Sequence, residues 1–145
     1  MCVNYLIDRI AGYQEALKQS CIPFEENFLE MGHATVEGAT KAVKSLLRKE
    51  KRITALFILS DLMTIGAYTA CKEMGLRIPE DLAIIGFGDF ASATVIDPPV
   101  TNISLSPDMI GRTAFDLLIN KINNPQYNKH IQFPSSLVIR KSCGC

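Results

Sequence analysis

The stretch Phe57-Ile58-Leu59-Ser60-Asp61-Leu62-Met63-Thr64-Ile65-Gly66-Ala67 decides the fold class. An apolar strand runs into the polar pair Ser60-Asp61, and a helical pattern starts at that pair. In an open α/β sheet, ligands sit at the carboxyl ends of strands. Ser60 and Asp61 are therefore expected at a crevice. The layout recurs downstream. Leu82-Ala83-Ile84-Ile85-Gly86 reads as a buried strand, and Phe87-Gly88-Asp89-Phe90 follows it. Two strand ends capped by polar or glycine-rich loops imply one binding face.

Working outward, Ile10, Tyr13 and Leu17 mark one face of a helix over 8–19, ended by Cys21-Ile22-Pro23. Phe28-Leu29-Glu30-Met31 reads as a short strand. Thr35 can cap a second helix, with Glu37 in its first turn and Val36, Ala39, Val43, Leu46 and Leu47 as its buried stripe. The basic end of that helix, through Arg48, Lys49, Lys51 and Arg52, reads as a solvated face complementing the dipole, with a nucleic-acid patch as the sharper alternative. Residues 54–58 form the next strand. The helix over 61–74 carries Met63, Ala67, Ala70, Cys71 and Met74 on one face, with Gly75 as its stop. Ile65 and Tyr68 lie on another side, open either to a partner or to extra core contact.

A loop follows from 87 to 100, with one helical turn over 90–94, since Pro98-Pro99 forbids a long helix. Residues 102–105 are a brief extended piece. Ser106-Pro107-Asp108 is a helix start of cap, proline and acid. That helix reaches Ile122, with a broad apolar arc that includes Phe115, Leu118 and Ile119. Residues 131–139 form a last strand interrupted by Pro134, which suits an edge or crossing position. The alternation of helices and strands predicts an α/β, doubly wound parallel sheet.

The chain has 145 residues, 48% hydrophobic and 21% charged, enough for one domain with a real core. Fifteen basic and fifteen acidic side chains cancel, so no electrostatic footprint for DNA exists over the whole chain. No apolar run is long enough to span a bilayer, and Met1-Cys2-Val3-Asn4-Tyr5 lacks the regions of a signal peptide. The five cysteines form no evident framework, and reduced thiols in the cytoplasm are the expectation.

Several segments, in order and with matching spacing, resemble the LacI/GalR family of transcriptional regulators. They are Arg9 with Gly12-Tyr13, Ser60 to Ala67, Glu73-Met74-Gly75-Leu76-Arg77-Ile78-Pro79-Glu80-Asp81, Ile85 to Asp89, Pro98-Pro99-Val100-Thr101, Met109 to Ala114, and Phe133 to Ser142. The resemblance covers nearly the whole chain. It implies the second subdomain of a periplasmic-binding-protein-like (type I) fold. Residues 1–105 would be the C-terminal subdomain of an effector-binding module. Residues 106–125 would be a helix that normally packs on the first subdomain, and 126–145 the final strand and tail. The helix-turn-helix and most of the first subdomain have no counterpart here, which is read as a truncation, a fragment or a half-module.

The resemblance also implies site residues. Arg9 would reach into the cleft and bond a small-molecule effector, a sugar or related metabolite. Ser60 would line the cleft or cap the helix. Arg9, Ser60, Asp61, Gly88 and Asp89 make up the implied ligand-binding set, with capping the helix and tying the loop as the main role of Asp61. Many members read Gly-Phe-Asp-Asp where this chain reads Gly86-Phe87-Gly88-Asp89. Gly88 offers no carboxylate, which weakens a sugar as effector, and Asp89 matches a structural position. A homodimer is implied through the third helix and residues 93–100, with Thr64, Ile65, Tyr68, Val95 and Pro98 at the contact. DNA would be bound only through a helix-turn-helix segment. The alternative is a small-molecule binding protein of periplasmic type with no role in transcription.

Other chemistries find little support. Gly86-x-Gly88-x-x-Ala91 formally matches a dinucleotide fingerprint, but that motif needs a long helix next, and Pro98-Pro99 intervenes. Ser60 is in no nucleophile elbow. His33 and His130 have no triad partners in view. Cys143-x-Cys145 is short of the four ligands of a zinc site. No enzyme activity, cofactor or metal is expected.

Overall fold

The computed structural model of the protein describes residues 4–88 and 90–145. Its centre is a four-stranded sheet in the order β1 (Ala55–Phe57), β2 (Ala83–Phe87), β3 (Thr101–Ser104), β4 (Ser136–Val138). The first three strands are parallel, with Phe57 opposite Ile85 and Gly86 opposite Asn102. The fourth is antiparallel, with Ile103 opposite Leu137. The sheet is thus mixed rather than wholly parallel. Helix α4 (Pro107–Asn123) leaves from the carboxyl end of β3. The chain returns from that same end, and a strand entering there runs back against its neighbour.

Helices α2 (Val36–Lys49) and α3 (Asp61–Met74) form as their signals dictate. Thr35 caps α2, its hydroxyl accepting from the Gly38 N–H at 3.0 Å. Gly75 ends α3 in the left-handed region, φ 69°, its N–H returning to Cys71 and Lys72 carbonyls. The core lies between this helix pair and one sheet face: Val43 and Leu47, then Ala67, Ala70 and Cys71, against Ile58, Leu82 and Ile84. The helices cross closely because Gly66 has no side chain. A Cβ there would lie 2.4 Å from the Val36 carbonyl. Thr40 Oγ1 bridges the crossing, donating to the Val36 and Gly66 carbonyls.

Alternation along β2 puts Ile84 and Gly86 on the helix-pair face and Phe87 on the other. Helix α1 (Asn4–Gln19) reaches that second face through Arg9, as a doubly wound sheet requires. By contrast α4 buries none of its residues, and Phe115, Leu118 and Ile122 stand exposed.

Three local expectations are corrected. Phe28–Met31 is not a strand. A 3-10 turn covers Glu26–Phe28, and the extended residues after it meet no strand partner among the described residues. Glu30 instead receives Lys49 Nζ at 2.7 Å from α2. The last strand shrinks from 131–139 to Ser136–Val138, because β3 offers only four residues to pair with. Ser106 makes no side-chain cap on α4, which starts on Pro107 alone. The turn before β3 is a 3-10 helix, Ala91–Thr94.

Candidate functional site

The crevice at the carboxyl ends of β1 and β2 is built by backbone geometry first. The parallel ladder runs one residue past β1, the Ile58 N–H donating to the Ile85 carbonyl at 2.8 Å. Leu59 and Ser60 then turn into α3. Ser60 is the N-cap, its Oγ accepting from the Met63 N–H at 3.4 Å. The capping expected of Asp61 therefore falls to Ser60. Asp61 is the first helical residue, where a carboxylate complements the helix dipole.

Arg9 arrives from α1. Its guanidinium donates to the Leu59 carbonyl at 2.9 Å and lies 3.5 Å above the centre of the Phe87 ring. A cation seated over an aromatic face is attracted by the ring quadrupole. Phe87 thus holds the Arg9 guanidinium beside the Ser60 turn, a positioning contact that sequence reasoning missed. Gly88 follows in the left-handed region, φ 95°, and donates its N–H to Ile103 at 2.9 Å. A Cβ on Gly88 would sit 2.4 Å from Asp61 Oδ1. The Asp61 carboxylate occupies the room above Gly88, so the crevice keeps an acid there despite the glycine. Arg9, Ser60, Asp61 and Gly88 come together at one end of the sheet. Asp89 lies outside the described residues.

Behind the crevice is a buried polar group. Asn102 is fully buried on β3, and its Oδ1 has no hydrogen-bond partner among the described residues. A Cβ on Gly86 would lie 2.1 Å from that oxygen and 3.1 Å from Thr64 Oγ1. Gly86 is glycine because Asn102 fills its face. The register Gly86 opposite Asn102 is the pairing that a sequence signal would have needed to supply.

The residues expected at a dimer contact divide. Thr64 is fully buried, its hydroxyl donating to the Ser60 carbonyl at 3.0 Å. It cannot touch a partner; it faces Gly86 under the crevice. Val95 is 79% exposed. Ile65, Tyr68 and Pro98 are half-buried and adjoin one another. Tyr68 donates its hydroxyl to the Pro98 carbonyl at 2.8 Å, and burial pushes the phenol up to about 12. These residues line a groove of about 630 Å³ together with Leu76, Ile78 and Ile96. Arg9, Ser60, Asp61 and Gly88 are not among its lining residues.

Among the described residues no group of three His, Cys, Asp or Glu is placed to hold a metal. Among the described residues no helix is long and apolar enough to cross a membrane.

A mixed sheet of this order, with helices on both faces and a crevice at its strand ends, defines an open α/β class. The profile of the periplasmic binding protein-like domain matches residues 3–143, and the chain belongs to that family. It is 34% identical over 136 residues to the ribose operon repressor of Haemophilus influenzae, covering 94% of this chain and 40% of that protein. It is 34% identical to the HTH-type transcriptional repressor PurR of Klebsiella pneumoniae, over 92% of this chain and 40% of the repressor. Among solved structures, a regulatory protein of the LacI family from Chloroflexus aggregans is 36% identical with a TM-score of 0.83, over 93% of this chain and 49% of its own. The transcriptional regulator CelR in complex with cellobiose superposes with a TM-score of 0.87 at 28% identity, over 94% of this chain and 42% of its own. The chain thus spans about 40% of the length of the curated relatives it matches.

Proposed function

We propose that the chain is the effector-binding portion of a LacI-type transcriptional regulator. The observation that carries this is the placement of Arg9. It is clamped between the Leu59 carbonyl and the Phe87 ring, beside Ser60 and Asp61. An arginine fork with a neighbouring carboxylate and hydroxyl suits a small polar ligand with several hydroxyl groups. The ribose repressor, and a LacI-family regulator from Enterococcus faecium solved with bound ribose, support a sugar or related metabolite as the ligand class.

In this reading the crevice is one wall of a two-walled cleft. The exposed apolar face of α4 docks on the first subdomain of the complete module. Residues 1–105 supply the C-terminal subdomain, 106–125 the bridging helix, and 126–145 the closing strand and tail. The groove lined by Ile65, Tyr68 and Pro98, with Val95 beside it, pairs with a second copy. Effector binding shifts the balance between two arrangements of the subdomains, and the dimer transmits this to DNA-reading segments in the cytoplasm. The relatives are named as repressors and regulators, which favours this over an export-dependent binding protein.

The test is thermal denaturation of the chain against a panel of neutral sugars and nucleobases. A compound that binds the native state raises the melting temperature with concentration. Arg9→Ala should abolish the rise for that compound. A ligand that protects Arg9→Ala as well as the wild type would remove Arg9 from the site.

A further inference from the structure

We propose that Cys143 and Cys145 form a redox-active dithiol that exchanges with low-molecular-weight disulfides and closes to an intramolecular disulfide. The pair sits at the amino ends of β2 and β3, the opposite end of the sheet from the crevice. Gly144 between the two cysteines is in the left-handed region, φ 77°. Its N–H points back to the Lys141 carbonyl at 3.5 Å, so the tail turns on itself. Cys145 Sγ lies 4.0 Å from the Cys143 carbonyl oxygen, folded back over its neighbour.

The inner sulfur is anchored. Thr101 Oγ1 donates to Cys143 Sγ at 3.2 Å, and the Cys143 thiol reaches the Arg140 carbonyl at 3.7 Å. Thr101 is itself buried on β3, so the donor is fixed. Its hydroxyl, and then the Cys145 thiol, hold the Cys143 thiol below the usual range. The Cys145 thiol is pushed up in turn by Cys143. Reactive thiols combine thiolate character, access and a nearby resolving cysteine. Cys143 is half-buried and Cys145 is exposed. Cys71 is the internal contrast. It is buried in the core, and burial pushes its thiol up to about 11.

The exchange balances in two steps. The Cys143 thiolate attacks one sulfur of the external disulfide. That S–S bond breaks, and the first leaving thiolate takes up the proton Cys143 gave to solvent. Cys145, deprotonated, then attacks the Cys143 sulfur and expels the second external thiolate, which takes up the second proton. Two protein thiols are oxidised by two electrons, and one external disulfide is reduced to two thiols. A disulfide across a single residue on an exposed turn is the strained, easily reduced kind, so the reaction reverses readily.

The experiment treats the reduced full chain with oxidised glutathione, quenches with acid and digests with trypsin. Cleavage after Lys141 releases Ser142-Cys143-Gly144-Cys145, which holds both thiols and no other cysteine. The expected result is loss of two hydrogens from that peptide, restored by dithiothreitol. Cys145→Ser should trap glutathione on Cys143. Cys143 should react roughly tenfold faster than the exposed Cys21. Retention of glutathione on Cys145 in the wild type, or Cys143 reacting no faster than Cys21, would overturn the proposal.

Discussion

Ser142→Ala should be among the most damaging single-atom deletions in the chain. Ser142 is fully buried. Its Oγ donates to the Ile84 carbonyl at 2.6 Å and accepts from the Thr101 N–H at 2.9 Å. Its carbonyl accepts from the Ile84 N–H at 2.7 Å, and its own N–H donates to Pro99 at 3.1 Å. The residue knits the tail to β2 and to the start of β3. Removing Oγ leaves the buried Thr101 N–H without that acceptor, at about 1–3 kcal/mol, and loses a second bond of about 1 kcal/mol, so about 2–4 kcal/mol in all. Domain stability is about 5–15 kcal/mol. With a urea slope of about 2 kcal/mol per molar, the middle of the usual range, the midpoint should fall by about 1–2 M with the slope unchanged. Ser136→Ala, on the exposed edge of β4, is the control and should stay within about 0.5 kcal/mol. A Ser142→Ala midpoint equal to that of Ser136→Ala would show that the Ser142 contacts do not hold the sheet together.

Two glycines should respond with opposite sign. Gly88→Ala meets Asp61 Oδ1 at 2.4 Å in a left-handed conformation and should cost about 1–3 kcal/mol, whereas Gly12→Ala on α1 points into open space and should stabilise by up to about 1 kcal/mol; calorimetric melting of both variants checks the pair. Acid should weaken the fold through exposed ion pairs. The Arg52 guanidinium holds Glu50 at about 2, and that of Arg77 holds Asp81 at about 2. Folded-state values below the ordinary carboxylate range mean stability that is present above about pH 4 and lost as pH falls toward 2. Asp81→Asn should flatten part of that loss in urea midpoints taken against pH, and an unchanged profile would contradict it.

Much of the fold was legible because its punctuation is local. Ser60 and Gly75 mark both ends of α3, and Thr35 marks the start of α2. What failed were features that depend on a partner. Phe28–Met31 has strand residues but no strand beside it. The family resemblance puts Thr64 at a dimer contact, and nothing local in the sequence says that this side of the helix meets the sheet. Thr64 faces Gly86, while α2 covers another side of the same helix. Arg9, Ser60 and Gly88 could be placed at one end of the sheet from strand order. The Phe87 clamp, the Asp61 carboxylate over Gly88 and the orphaned Asn102 oxygen could not. Each depends on residues distant in sequence meeting within a few ångströms. The Ser142 contacts are of the same kind, joining residues 84, 99, 101 and 142.

The two margins of the sheet carry a further consequence. Both outer strands, β1 and β4, are three residues long. Lys51 and Arg52 stand ahead of the first, and Pro134 ahead of the second. An incoming chain seeking to extend the sheet finds few unpaired backbone groups, flanked by charge on one side and a residue that cannot donate on the other. When this protein sticks to itself, it should do so through side-chain surfaces such as the exposed face of α4. The result would be soluble oligomers or amorphous precipitate rather than ordered cross-β fibres.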